Sequence, residues 1–172
     1  MLSEINEPPS VRVAGPEDED DLVQMVRDMH PESALRGPDG NPISLDADMV
    51  RNEVRRAVTP NRSNMPAWIG VVGPPNNLMG SIYLAVETTW YSSHVIIVER
   101  WLFVRPDFRK STIASSLIDF AKQSADASGI YPLIVGHITS GREEAKSRFY
   151  RRHLTPLGAY YAHNGQDAVG AL

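Results

Sequence analysis

The sequence predicts a mixed α+β domain, a twisted and mostly antiparallel sheet flanked by helices, in the order β-α-α-β-β-β-α-β-α-β. Three observations predict it. Apolar runs rich in β-branched and aromatic residues recur at Ala67 to Val72, Met79 to Glu87 and Val95 to Val104, each bounded by turn signals. Two segments before these runs and two after them repeat apolar residues at helical spacing. A shorter apolar run, Leu133 to Ile138, follows one of those helices and so returns parallel to its neighbour through the crossover. Strands gathered mid-chain with helices on either side pack as α+β.

Met1 to Pro9 is polar and proline-bearing, a loose lead-in. Val11 to Ala14 is a short strand halted by Gly15-Pro16. Pro16 opens a helix carrying Leu22, Val23, Met25, Val26 and Met29, with the acids Glu17 to Asp21 in its first turn, where negative charge suits the dipole. His30-Pro31 ends that helix, and the Pro/Gly-rich loop to Ser44 is long enough to act as a lid. A second helix spans about Asp46 to Val58. The three central runs then read as an antiparallel meander, turning through Gly73-Pro74-Pro75-Asn76-Asn77 and through Tyr91-Ser92-Ser93. Ala114, Leu117, Ile118, Ala121 and Ala125 mark the next helix, which Gly129 stops. After the Leu133 to Ile138 strand come a helix from about Arg142 to Arg152 and a last strand, Leu157 to His163. The domain therefore covers 10–163, and 164–172 is a frayed tail.

At 172 residues the chain makes one domain with a proper core. Its apolar content of 42% and charged content of 22% are those of an ordinary globular protein. A net charge of −4 argues against a general nucleic-acid binder. With no cysteine, disulfides, thiolate catalysis and cysteine–zinc sites are excluded. The histidines His30, His94, His137, His153 and His163 are scattered without metal-ligand spacing, so no metal site is expected. Nothing at the N-terminus reads as a signal peptide and no apolar run is long enough to span a bilayer, so a cytoplasmic protein without membrane partners is the expectation.

Val104 to Ala114, VRPDFRKSTIA, is the most informative stretch. A strand that turns through Arg109-Lys110-Ser111 into a helix aims unpaired backbone N–H groups and the positive end of the dipole at one spot, an anion site suited to phosphate. The stretch resembles motif A of the GNAT superfamily of N-acetyltransferases, Arg/Gln-x-x-Gly-x-Gly/Ala, here Arg109-x-x-Thr112-x-Ala114 preceded by Val104-Arg-Pro106. Lys110 and Thr112 stand where that family usually has glycine. The Arg148-to-Gly158 run is also similar to GNAT-like proteins encoded by bacteriophages.

The resemblance implies the GNAT fold over about residues 10 to 163, with acetyl-CoA as acyl donor. It implies main-chain contacts from Leu102, Phe103 and Val104 to pantetheine, where the fourth and fifth strands splay apart. It also assigns the amides of Arg109, Lys110, Ser111, Thr112, Ile113, Ala114 and Ser115 to the pyrophosphate. Tyr150, in Arg148-Phe149-Tyr150, matches the family tyrosine that protonates the departing sulfur; a phenol of reference pKa about 10 is protonated at neutral pH. The alternative is a tyrosine packed at the helix–sheet seam. Glu99 interrupts an apolar strand, where a carboxylate needs a partner, water or a task. The resemblance implies that it deprotonates the amine, with Glu87 as second choice; a structural ion pair is the alternative. Glu143 occupies the position of a family asparagine that bonds pantetheine, and reads instead as a helix-start carboxylate.

Arg142, Lys146, Arg148, Arg151 and Arg152 form the densest basic patch, facing either solvent or the 3′-phosphate of CoA. The function implied is an acetyl-CoA-dependent N-acetyltransferase acting on a primary amine, a small molecule or a peptide, by direct transfer in a ternary complex. A cysteinyl acyl-enzyme is ruled out by composition. A catalytically idle scaffold that binds CoA or a protein is the first alternative, and a nucleic-acid-associated protein using the basic patch the second. Dimerisation through the last strand stays open.

Overall fold

The computed structural model describes residues 10–37, 39–59, 65–136 and 143–158. Five strands form one sheet in the order of the chain: β1 (Arg12–Val13), β2 (Ala67–Val72), β3 (Gly80–Thr88), β4 (Val95–Val104) and β5 (Leu133–Ile134). The first four are antiparallel neighbours, and β5 joins β4 in parallel. Helices α1 (Glu19–Met29) and α2 (Ala47–Val58) cover one face through Leu22, Val23, Met25, Val54 and Val58. Helices α3 (Ile113–Ser128) and α4 (Glu143–His153) cover the other, through Leu117, Ile118 and Ala121 of α3 and Phe149, Tyr150 of α4. Alternation in β3 explains both cores: Tyr83 and Ala85 point to α1 and α2, while Ile82, Leu84 and Val86 point to α3.

Local chemistry sets the element ends. The Asp46 carboxylate accepts from the N–H groups of Asp48 and Met49 and so opens α2. Gly129, left-handed at φ +66°, closes α3. Pro16 opens a 3-10 turn, Pro16–Asp18, before α1 rather than the helix itself. The acids that follow do more than suit a dipole. Glu19 accepts from Arg51 and Arg55 of α2, and Asp21 pairs with Arg105 at the end of β4. Two expected strands change. β5 is only two residues long because Val135 and Gly136 leave the sheet, and His137 and Ile138 lie outside the described residues. Leu157 and Gly158 are not strand, and the remainder of that expected element, like the tail, lies outside the described residues.

Gly80 fixes where α3 begins. A Cβ there would stand 2.7 Å from Ile113 Cγ2 and 3.2 Å from the Phe103 carbonyl oxygen. Gly80→Ala is expected to cost about 1–3 kcal/mol through overpacking, read as a lower midpoint in urea unfolding with the slope unchanged. A wild-type midpoint would mean that α3 yields without strain.

Candidate active site

β4 and β5 pair at Ile97 with Leu133 and at Val98 with Ile134, and then part. Beyond that point β4 runs on for six residues, Glu99 to Val104, with no strand on that side among the described residues. Its alternate N–H and C=O groups face a cavity of about 620 Å³, bounded by the end of β5, by α4 and by the C-terminal end of α1. An extended chain bearing amides can pair with such an edge, so the splay fits a pantetheine arm at Leu102, Phe103 and Val104. The side chains of Phe103 and Val104 are buried core, which leaves the main chain for that role.

Glu99 sits where the strands separate. Its carboxylate accepts from the Gly136 N–H at 3.1 Å, in place of the next ladder bond. A β-bulge sets its direction: Tyr83 is opposite Trp101 while Leu84 is opposite Glu99, so Arg100 is the extra residue. Glu99 therefore shares the α3/α4 face with Leu84, whereas Arg100 ion-pairs with Glu87. The bulge is pinned from the following residue as well, because the Trp101 indole N–H donates to Ser81 Oγ at 3.0 Å. Glu87, the second choice, is tied to Arg100 and is absent from the cavity lining. Burial pushes the Glu99 carboxyl up to about 8, against the Gly136 hydrogen bond, which favours the anion. Tyr150 lines the same cavity from α4, and burial, followed by the nearby Glu99 charge, raises its phenol still further above 10.

The turn after β4 has ordinary backbone. Arg109 and Thr112 lie at φ −69° and −84°, and no residue from 109 to 114 has a positive φ. Lys110 and Thr112 thus stand at positions where the backbone itself does not demand glycine. Ser111 Oγ donates to the Phe108 carbonyl and accepts from the Ile113 N–H. Among the described residues the N–H groups of Lys110, Thr112, Ala114 and Ser115 have no hydrogen-bond partner, which suits the orphan donors of an anion-binding helix start. The Arg109 guanidinium is already engaged. It donates to the Val104 carbonyl at 2.9 Å and to Glu32, and lies 5.4 Å from the Phe103 ring centroid.

The basic residues of α4 divide. Lys146 lines the cavity, whereas Arg148 and Arg151 lie on a shallow outer surface with Glu144. Arg152 is exposed, and Arg142 lies outside the described residues. Glu143 begins α4, as its helix-start reading expected. His30 lines the cavity, and its Nε2 contacts the Ile43 carbonyl at 2.6 Å, tying the loop after α1 to the helix end. Sequence reasoning missed Val26, Met29 and Glu32 as cavity residues, because nothing in their spacing separates a core helix end from a site wall.

A five-stranded, mostly antiparallel sheet with helices on both faces, open along β4 where β5 parts from it, is the fold of the GNAT-type acyltransferases, which the chain shares. Among solved structures it is similar to an aminoglycoside acetyltransferase, meta-AAC0020, from an uncultured soil metagenomic sample (17% identity, TM-score 0.62, 93% of this chain and 99% of the other). It is similar also to the ribosomal-protein-alanine N-acetyltransferase of Brucella melitensis biovar Abortus 2308 (14%, 0.62, 91% and 99%). A third is AAC(6')-Iy in complex with the bisubstrate analog CoA-S-monomethyl-acetylneamine (11%, 0.65, 90% and 97%). No family model and no curated protein sequence matches the chain. No helix among the described residues is long and apolar enough to cross a membrane.

Proposed function

We propose that the protein is an acetyl-CoA-dependent N-acetyltransferase that moves an acetyl group directly to a primary amine within a ternary complex. The observation that carries this reading is the gap between β4 and β5, lined by Glu99 and Tyr150, with Arg109 of the following turn on the same cavity. Solved acetyltransferases with the same fold support it, one of them bound to a CoA-linked analog. Acetyl-CoA, when bound, supplies the acetyl group as a thioester.

Glu99 takes the proton that the attacking ammonium must lose. With its pKa at about 8, the carboxylate population rises through the mildly alkaline range. Tyr150, its pKa raised, remains a phenol throughout that range and donates its proton to the departing sulfur. A β4 N–H facing the gap polarises the acyl oxygen, a contribution of about 3 kcal/mol for one well-aimed donor. The amides at the start of α3 and the Lys110 side chain hold the pyrophosphate.

Titration calorimetry with acetyl-CoA tests the reading, with dephospho-CoA as comparator. Binding in the micromolar range, weaker for the dephospho form, is expected, together with amine-dependent CoA release. A well-folded protein that binds no acetyl-CoA would refute it, and the idle scaffold would take over. That scaffold is favoured by one observation, the engagement of Arg109 by Glu32 and Val104. Tyr150→Phe is expected to lower kcat by about 100-fold with acetyl-CoA affinity unchanged. A wild-type rate in that variant would remove Tyr150 as the acid.

A further inference from the structure

We infer that the acceptor is a singly charged amine on an apolar body, such as an arylalkylamine, rather than a polyamine or a polycationic sugar. The inference rests on the acetyltransferase reading above and names the substrate class of that same cavity. If the donor occupies the open edge of β4 and the start of α3, the space left for the acceptor is the end walled by α1. There Val26, Met29 and Trp101 line the cavity, all three partly buried.

The charges on that wall are matched within the chain. Glu32 pairs with Arg109, and Arg100 pairs with Glu87. The His30 ring is engaged by the Ile43 carbonyl, and the Trp101 N–H by Ser81. One carboxyl of the described lining, that of Glu99, lies where the strands part, at the reacting end. One carboxyl suits one ammonium. A second or third ammonium would be desolvated against the apolar side chains of Val26, Met29 and Trp101. Selection here works by rejection of extra charge, while the apolar wall rewards burial of a hydrocarbon body.

The test compares phenethylamine with spermidine as acceptors at saturating acetyl-CoA and pH 8, following CoA release. For the wild-type protein kcat/KM for phenethylamine is expected to exceed that for spermidine by about tenfold or more. Met29→Glu should place a carboxylate on the wall and move the ratio toward spermidine by a similar factor. Val26→Glu, three residues earlier on the same helix face, serves if Met29→Glu does not melt like the wild type. Spermidine turned over as well as phenethylamine, or a ratio unmoved in a natively melting variant, would overturn the acceptor class and leave acetyl transfer standing. If phenethylamine gives no turnover, the acceptor class is again overturned. The transferase reading is then judged separately, by CoA release over a broad panel of primary amines.

Discussion

Glu99→Gln is expected to lower kcat/KM by about 100- to 1,000-fold and to remove the rise in rate expected of the wild type as pH passes about 8. Glutamine keeps the shape and can still accept from the Gly136 N–H, so the change isolates proton transfer from position. The same substitution should stabilise the fold. A carboxyl whose native pKa lies above its unfolded value of about 4.3 holds more protons when folded, so stability falls as pH rises from that value through about 8. Above pH 8 the wild type carries the full cost of a desolvated carboxylate, which Gln does not. The melting temperature of Glu99→Gln should therefore exceed that of the wild type at pH 8.5 and match it near pH 4. A pH–rate profile that keeps its alkaline rise in Glu99→Gln would end the base assignment. Equal melting at both pH values would mean that water reaches the carboxylate.

Asp18→Ala is expected to cost about 3–5 kcal/mol of stability, the range for removing one partner of a buried ion pair, and so to lower the melting temperature by roughly 10 °C. Asp18 is fully buried at the turn before α1, where it accepts from both terminal nitrogens of Arg12 at 2.7 and 2.8 Å and from the Gly15 N–H at 3.0 Å. Removing it leaves the Arg12 guanidinium with the Gly73 carbonyl as its other acceptor, at 3.2 Å, and leaves the Gly15 N–H without its carboxylate. The Arg12 side chain is 35% exposed and can recover some water, which favours the lower end of the range. Burial alone would raise the Asp18 pKa. The Arg12 hydrogen bonds, the Gly15 N–H and the Arg12 charge outweigh it and hold the carboxyl below its usual range. Its contribution is thus complete above pH 4 and is lost as pH falls through the depressed native value. Melting curves of both proteins at pH 7 and pH 3 should show the gap narrowing in acid. A loss under 1 kcal/mol at pH 7 would mean that Arg12 and Gly15 find other partners.

Most of the architecture is legible in short-range pattern. Ala67–Val72 and Val95–Val104 occupy the expected residues because β-branched alternation and turn residues act locally. Asp46 and Gly129 bound their helices for equally local reasons, a side-chain acceptor and a left-handed φ. The acidic run before Leu22 is where local reasoning fell short. A first-turn acid satisfies the dipole in any case, so its sequence neighbours carry no sign that Glu19 reaches α2 or that Asp21 reaches β4. The expected length of the fifth strand failed because an apolar run does not encode whether a partner continues beside it.

The candidate site divides along the same line. By itself the sequence determined the element order as far as α4, the turn into a helix after Arg109, and the presence of a carboxyl and a phenol in Glu99 and Tyr150, because propensity, periodicity and residue type are local properties. The tertiary structure alone decided that Glu99 turns toward Tyr150 while Glu87 is taken by Arg100, and that Arg109 is held by Glu32. Those outcomes depend on the register between β3 and β4, on where β5 stops, and on the docking of α1. Each is fixed by contacts between residues tens of positions apart, and burial, which shifts the Glu99 proton, exists only once those contacts are made.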